Sequence, residues 1–159
     1  NPTSDDSALT VMNALTGEEA ASLAGKFEPA TMAAYVDQVG TWYRSAGVMV
    51  ERNNHGHAVL LWLRDYSSLR RLAGWDGREG WLSNSRGKAL LYDGVAEVVR
   101  DQGVTIHTWE TLTQLQSIEG SSLRAPAGEA DDLADSFALA VAAMTGRGRS
   151  GVEYAANPW

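Results

Sequence analysis

Residues 7–15 and 19–27 carry the apolar positions of two β-strands, and the Thr16-Gly17 pair between them has turn chemistry. The chain is therefore expected to open on a β-hairpin, after a loop over residues 1–6. Pro29 then starts a helix in which Met32, Val36, Val39, Tyr43 and Ala46 recur at helical spacing until Gly47 stops it. Residues 48–51 read as a short apolar strand, followed by a second helix from about His57 to Tyr66. Within residues 69–84, Asp76-Gly77 predicts a second hairpin, with Trp75 and Trp81 packing across it. Leu90, Leu91, Val95, Val98 and Val99 predict a helix over residues 85–102 that Gly103 ends, and residues 104–107 read as a strand. Thr108 is placed to cap a short helix over residues 109–118. After the loop "GSSLRAPAGEA", the stretch "DDLADSFALAVAAM" is amphipathic through Leu133, Phe137, Ala140, Val141 and Met144. This order of elements predicts an α/β domain with a mixed sheet over residues 1–145, and a flexible tail over residues 146–159.

One junction breaks the pattern. The strand Val48-Met49-Val50 ends in Glu51 and Arg52, and the polar cluster Asn53, Asn54, His55, Gly56 and His57 precedes the next apolar helix. A structural turn needs a glycine and an asparagine, not a carboxylate at the last strand position followed by so many polar residues. Strand ends beside glycine turns are where α/β proteins place chemistry.

Composition narrows what that chemistry can be. Of 159 residues, 44% are hydrophobic and 21% charged, which suits one soluble globular domain with a real core. No apolar run is long enough to span a membrane, and the start has no signal-peptide pattern. There is no cysteine, so disulfides and thiolate metal sites are excluded, a reducing compartment fits, and any metal must be held by oxygen or imidazole. The formal net charge of −7 argues against a free-standing nucleic-acid binder. Locally the balance reverses: Arg64, Arg70, Arg71, Arg78, Arg86 and Lys88 face only Asp65, Asp76 and Glu79 over the same stretch. That excess suits phosphate, or else a solvated loop.

Acidic residues fall at element ends. Asp5 and Asp6 precede the first strand, Glu51 ends a central one, and Asp131 and Asp132 open the last helix. Capping and the helix dipole account for an Asp pair at a helix start without any further role. Carboxylates converging from separate elements would instead make a hard oxygen site for Mg²⁺ or Mn²⁺, and two such ions can hold the attacking and leaving oxygens of a displacement at phosphorus.

The stretches "VMVERNNHGHAVLLWL", "GWLSNSRGKALLYDGVAEVVRDQGV" and "GEADDLADSFALAVA" together resemble the C-terminal nuclease domain of bacteriophage terminase large subunits. The likeness lies in a strand ending E-R-N-N-H-G, a G-W-x-[TS]-x-x-x-x-K segment entering a helix, and a helix start of [AH]-D-D-x-x-[DM]-A type, in that order over nearly the whole chain. The resemblance implies a ribonuclease H-like mixed sheet flanked by helices, and a two-metal DNA endonuclease that cuts concatemers during genome packaging in the host cytoplasm. It implies Glu51 as the mid-sheet metal ligand and catalytic residue, and Asp131 or Asp132 as the ligand from the last helix. Asp5 matches an acidic position of the family's glycine-rich loop. The family's first ligand, an aspartate on a central first strand, has no counterpart here, so the chain is expected to be a fragment whose activity depends on that strand. Implied partners are double-stranded DNA, an upstream ATPase domain, the portal and the small terminase subunit, with no membrane.

Around Glu51 the readings divide. Asn53 and Asn54 either orient the carboxylate or only make the turn, with Gly56 completing the loop. His55 and His57 are ligands or phosphate contacts on one reading and exposed loop residues on the other. Lys88, with Arg70, Arg71 and Arg86, is a DNA contact or a solvated cation. Rival functions are a resolvase-type ribonuclease H-like nuclease and a non-catalytic module that docks DNA or the portal.

Overall fold

A computed structural model describes residues 6–146 of the chain. Asp5 and nearly all of the tail expected over residues 146–159 lie outside the described residues. β1 (Ser7–Met12) and β2 (Glu19–Gly25) form the expected antiparallel hairpin, with Leu9 opposite Leu23 and a bulge between Val11 and Met12. Asn13 closes the connection by accepting the N–H groups of Leu15 and Thr16 through its side-chain oxygen, at 2.9 and 3.2 Å.

The remaining strands expected from the sequence are present only as extended segments that share single bridges. Residue 105 pairs in parallel with residue 18, and segment 48–51 pairs in parallel with residues 71 and 81. Segment 48–51 is nonetheless well tied on that side: Val48 N–H reaches Arg70 O at 2.9 Å, and Trp81 N–H reaches Val50 O at 2.7 Å. Its partner is the irregular loop over residues 70–81, which switches which backbone groups it offers, so no regular ladder can extend.

That loop does turn tightly at Asp76-Gly77, where Gly74 N–H reaches Arg78 O at 2.8 Å. The two tryptophans do not pack across it. Trp75 sits in the turn and donates its indole N–H to Leu82 O at 2.9 Å, while Trp81 is fully buried and donates to Gly87 O at 3.1 Å. An indole N–H that leaves water must find an acceptor, and both find theirs at the start of the following helix. Arg52, with a side chain only 10% exposed, pins the turn through Asp76 and holds that carboxyl below its ordinary value.

Five helices complete the described chain: α1 (Pro29–Trp42), α2 (Asn54–Tyr66), α3 (Ser85–Arg100), α4 (Trp109–Ser117) and α5 (Asp132–Thr145). α1 stops earlier than its apolar spacing suggests, because Arg44 and Ser45 take left-handed conformations and Ala46 N–H closes back on Gly40 O. α2 starts earlier than expected, since the polar cluster is its first turn. α2 and α3 share one start. Asn53 accepts Gly56 N–H at 2.7 Å, and Asn84 accepts Gly87 N–H at 2.9 Å. In each case a Cβ on the glycine would lie 1.7–1.8 Å from the carbonyl oxygen two residues before the cap, Glu51 O or Leu82 O. Asn-x-x-Gly is thus a packing unit that lets a helix begin hard against the strand it follows.

β1 and segment 48–50 share no bridge, but their residues divide between the same two apolar clusters. Leu9, Val48 and Val50 pack toward Met32, Ala33, Val59 and Leu63 of α1 and α2, while Met12 and Met49 pack on the other side, with the cluster of Trp81, Leu91, Val95 and Phe137. Thr10 bonds Ser136 of α5 at 2.9 Å on that second side. Alternation along both segments therefore agrees on which face is which. Among the described residues no strand joins them, and a slot lies between β1 and segment 48–51.

Candidate functional site

The slot is a cleft of about 570 Å³ whose walls are β1 and residues 46–51. Val36 and Val39 of α1 and Leu139 and Ala140 of α5 give it apolar lining. Its charged lining comes from five parts of the chain: Asp6 before β1, Glu51 beside Asn53 and His55, Lys88 of α3, Arg124 of the loop before α5, and Asp131, Asp132 and Asp135.

Glu51 is placed by the unit that starts α2. Its carbonyl lies against Gly56, and Asn53 Nδ2 donates to its carboxylate at 3.3 Å. Asn53 therefore does both jobs that the sequence left open, capping with its oxygen and orienting Glu51 with its nitrogen. Asn54 is exposed at the first helical position, and His55 and His57 are exposed, His55 alone of the two lining the cleft.

The Asp pair does not cap α5. The N–H groups of Leu133 and Ala134 go instead to Gln114 Oε1 of α4, at 2.8 and 3.1 Å. Asp131 stands at the N-cap position without a side-chain bond to the helix, and accepts Ala125 N–H at 3.1 Å. Capping, which would have explained the pair, is supplied by another residue, and Asp131 and Asp132 line the cleft. The neighbouring helix also lacks a side-chain bond from its N-cap residue. Thr108 heads α4 but spends its hydroxyl on Ser22, and the N–H groups of His107 and Thr108 are taken by the buried Glu19 at 2.9 and 2.7 Å.

Asp135, one turn along α5, completes an internal network. Its carboxylate receives Lys88 Nζ at 2.6 Å and Tyr92 Oη at 2.5 Å. Burial pushes the Tyr92 phenol far above its ordinary value, and the negative charges of Asp135, Asp131 and Glu51 push it further. Lys88 is 16% exposed and committed to Asp135, so it is a cation of the cleft and not a solvated one. Of the other expected DNA contacts none lines the cleft: Arg71 pairs with Glu79 at 3.2 Å, Arg86 stacks 4.9 Å from the Trp75 ring centroid, and Arg70 is exposed.

The donor set is right for a hard divalent cation, being made of carboxylates at one cleft. Yet among the described residues no three acidic or histidine side chains are gathered tightly enough to hold one. Glu51 stands on one wall and the α5 acids on another.

Asp135, Tyr92, Gln114 and Arg124 were not legible as site residues. Asp135 had a signal, since it lies four residues after Asp131 on one helix face. Tyr92 stands in the same relation to Lys88. Gln114 had none.

The β1–β2 hairpin and the extended segment 48–51 set apart by a slot, with helices packed on both sides, make a ribonuclease H-like α/β fold. The crystal structure of the large terminase nuclease from thermophilic phage G20c with bound magnesium matches it with a TM-score of 0.73 and 19% sequence identity, over 89% of this chain and 76% of that one. No protein-family model and no curated protein sequence matches the chain. Among the described residues no helix is long and apolar enough to cross a membrane.

Proposed function

We propose that this chain is the metal-dependent endonuclease domain of a viral DNA-packaging terminase, hydrolysing phosphodiester bonds of concatemeric double-stranded DNA. The observation that carries the reading is the convergence of Glu51 with Asp131 and Asp132 on one cleft, in a fold shared with a phage terminase nuclease. Glu51 and one of Asp131 and Asp132 are the proposed ligands, with Asp5 a further candidate from outside the described residues. Mg²⁺ is the first candidate ion, Mn²⁺ the second, and two ions the proposed number. Bound there, a divalent cation supplies Lewis acidity to water and to the phosphate. The chain's own residues do the rest: Asn53 orients Glu51, Gln114 holds the start of α5, and Lys88 with Asp135 offsets charge beside the ligands. Arg70, Arg71 and Arg86 are proposed to meet backbone phosphates flanking the cut. Residues 1–145 form the proposed domain. An ATPase domain, the portal and the small terminase subunit are its proposed partners, and the host cytoplasm is its proposed place of work.

A second reading, a non-catalytic module that docks DNA or the portal, is favoured by one observation: the acids are not drawn together. Incubating the chain with linear duplex DNA in Mg²⁺, Ca²⁺ or a chelator separates the two. Cutting that requires Mg²⁺ and disappears in Glu51→Gln is the expected result. Binding in every condition with no cutting in any would leave the docking module.

A further inference from the structure

We propose that Arg124 is the phosphate-binding residue of the cleft, and that Asp131 positions it. Two cations line the cleft, and Lys88 is already committed to Asp135. Arg124 is exposed, and among the described residues its guanidinium makes no hydrogen bond or ion pair, although Asp131, Asp132 and Asp135 line the same space. A cleft whose charged lining is mainly carboxylate repels a phosphodiester unless a cation faces it. An uncommitted guanidinium offers two parallel N–H donors that match two phosphate oxygens.

The chain around Arg124 is held, and held from the acidic side. Glu119 N–H bonds Arg124 O at 2.9 Å, Leu123 N–H bonds Glu119 O at 2.8 Å, and Leu123 takes the left-handed conformation this compact turn demands. The next peptide, Ala125 N–H, is the group that Asp131 Oδ2 accepts at 3.1 Å. Asp131 thus joins the start of α5 to the residue after Arg124, and the arginine cannot drift from the acids without breaking that bond. Asp131 is a positioning residue in this respect, whichever carboxylate serves as ligand.

The inference rests on the reading of the cleft as a DNA site, so its test uses binding without cleavage. Affinity of the chain for a short duplex is measured in chelator and in Ca²⁺, across a salt series. Arg124→Ala is expected to weaken binding about tenfold, the scale of one charge-assisted pair. It should also reduce the slope of log affinity against log salt by about one, the signature of one lost phosphate contact. Arg124→Lys should keep the slope and recover part of the affinity. Asp131→Ala should share the loss, whereas Asp131→Asn, whose amide oxygen still accepts Ala125 N–H, should bind at least as well as the parent. Parent-like affinity and slope in Arg124→Ala would overturn this inference while leaving the nuclease reading intact. Failure of the unaltered chain to bind any duplex would overturn both.

Discussion

Gln114 Oε1 stands 2.8 Å from the N–H of Leu133, so the helix that carries the acidic pair is capped by a residue from the helix before it. A helix start leaves its first N–H groups unpaired, and Asp131 or Asp132 would ordinarily be consumed in pairing them. Because Gln114 takes that work, Asp131 makes no side-chain bond to the helix, and both carboxylates line the cleft. Gln114→Ala is expected to lower unfolding stability by about 1–2 kcal/mol, the usual cost of a lost cap. Gln114→Glu should recover much of that loss, since a carboxylate oxygen accepts the same N–H groups. Denaturant unfolding of the three forms checks this, and an unchanged midpoint in Gln114→Ala would show that the cap carries no weight.

The Asn-x-x-Gly starts of α2 and α3 make a sharper prediction. A methyl group at Gly56 or Gly87 would meet a backbone carbonyl at 1.7 or 1.8 Å, and a carbonyl held in place cannot swing aside as a side chain can. Gly56→Ala and Gly87→Ala should each cost about 3 kcal/mol, the upper end for overpacking. Gly77 is the control: its φ is +79° but nothing lies near its Cβ direction, so Gly77→Ala should cost only about 1 kcal/mol. Equal losses at all three positions would refute the argument from close approach.

These two cases also mark what the sequence could disclose. Helix faces, the first hairpin and the polar break after Val50 were legible because apolar period and turn chemistry are local. The slot between β1 and segment 48–51 was expected from resemblance to a family, not from periodicity. The roles of Asp131 and Thr108 were not legible. A capping residue looks the same in sequence whether it caps, leaves that work to Gln114 as Asp131 does, or spends its hydroxyl on Ser22 as Thr108 does. The packing of Trp75 and Trp81 failed for a related reason: a hairpin signal fixes the turn but not the length of the strands beyond it. Lys88 read equally as a DNA contact because only tertiary structure brings Asp135 to it.

Tyr92 predicts an alkaline dependence of stability. Its folded-state value is raised above the ordinary 10.0, by burial first and by the carboxylates second. Below that ordinary value the phenol is protonated whether the chain is folded or unfolded, and it adds no pH dependence. Above it the unfolded chain releases the proton and the folded chain keeps it, so stability falls as pH rises beyond about 10. Tyr92→Phe removes this contribution and should lose stability less steeply over the same range, even though it starts lower for want of the Asp135 bond. Thermal melts of both forms between pH 8 and about 11 decide the matter, and parallel curves would sink it.

Asn53 serves α2 with one atom and Glu51 with another, which allows fold and chemistry to be separated at a single position. Serine is as good an N-cap as asparagine, so Asn53→Ser should hold stability to within about 0.5 kcal/mol. It has no donor that reaches the Glu51 carboxylate as Nδ2 does, and a carboxylate free to rotate is a poorer ligand and a poorer guide for water. Supports of this kind typically matter by about 10- to 100-fold in metal affinity or activity. Cleavage of duplex DNA in Mg²⁺ should therefore fall by about that factor in Asn53→Ser, with a right-shifted Mg²⁺ dependence and unchanged binding of DNA in chelator. Glu51→Ala should abolish cleavage outright. It should leave binding equal or slightly tighter, because it removes a negative charge that faces phosphate. If Asn53→Ser cuts as the parent does at every Mg²⁺ concentration, the bond between Asn53 and Glu51 is a structural detail of the turn. If Glu51→Ala cuts as well, Glu51 is not a ligand and the cleft is not where the chemistry happens.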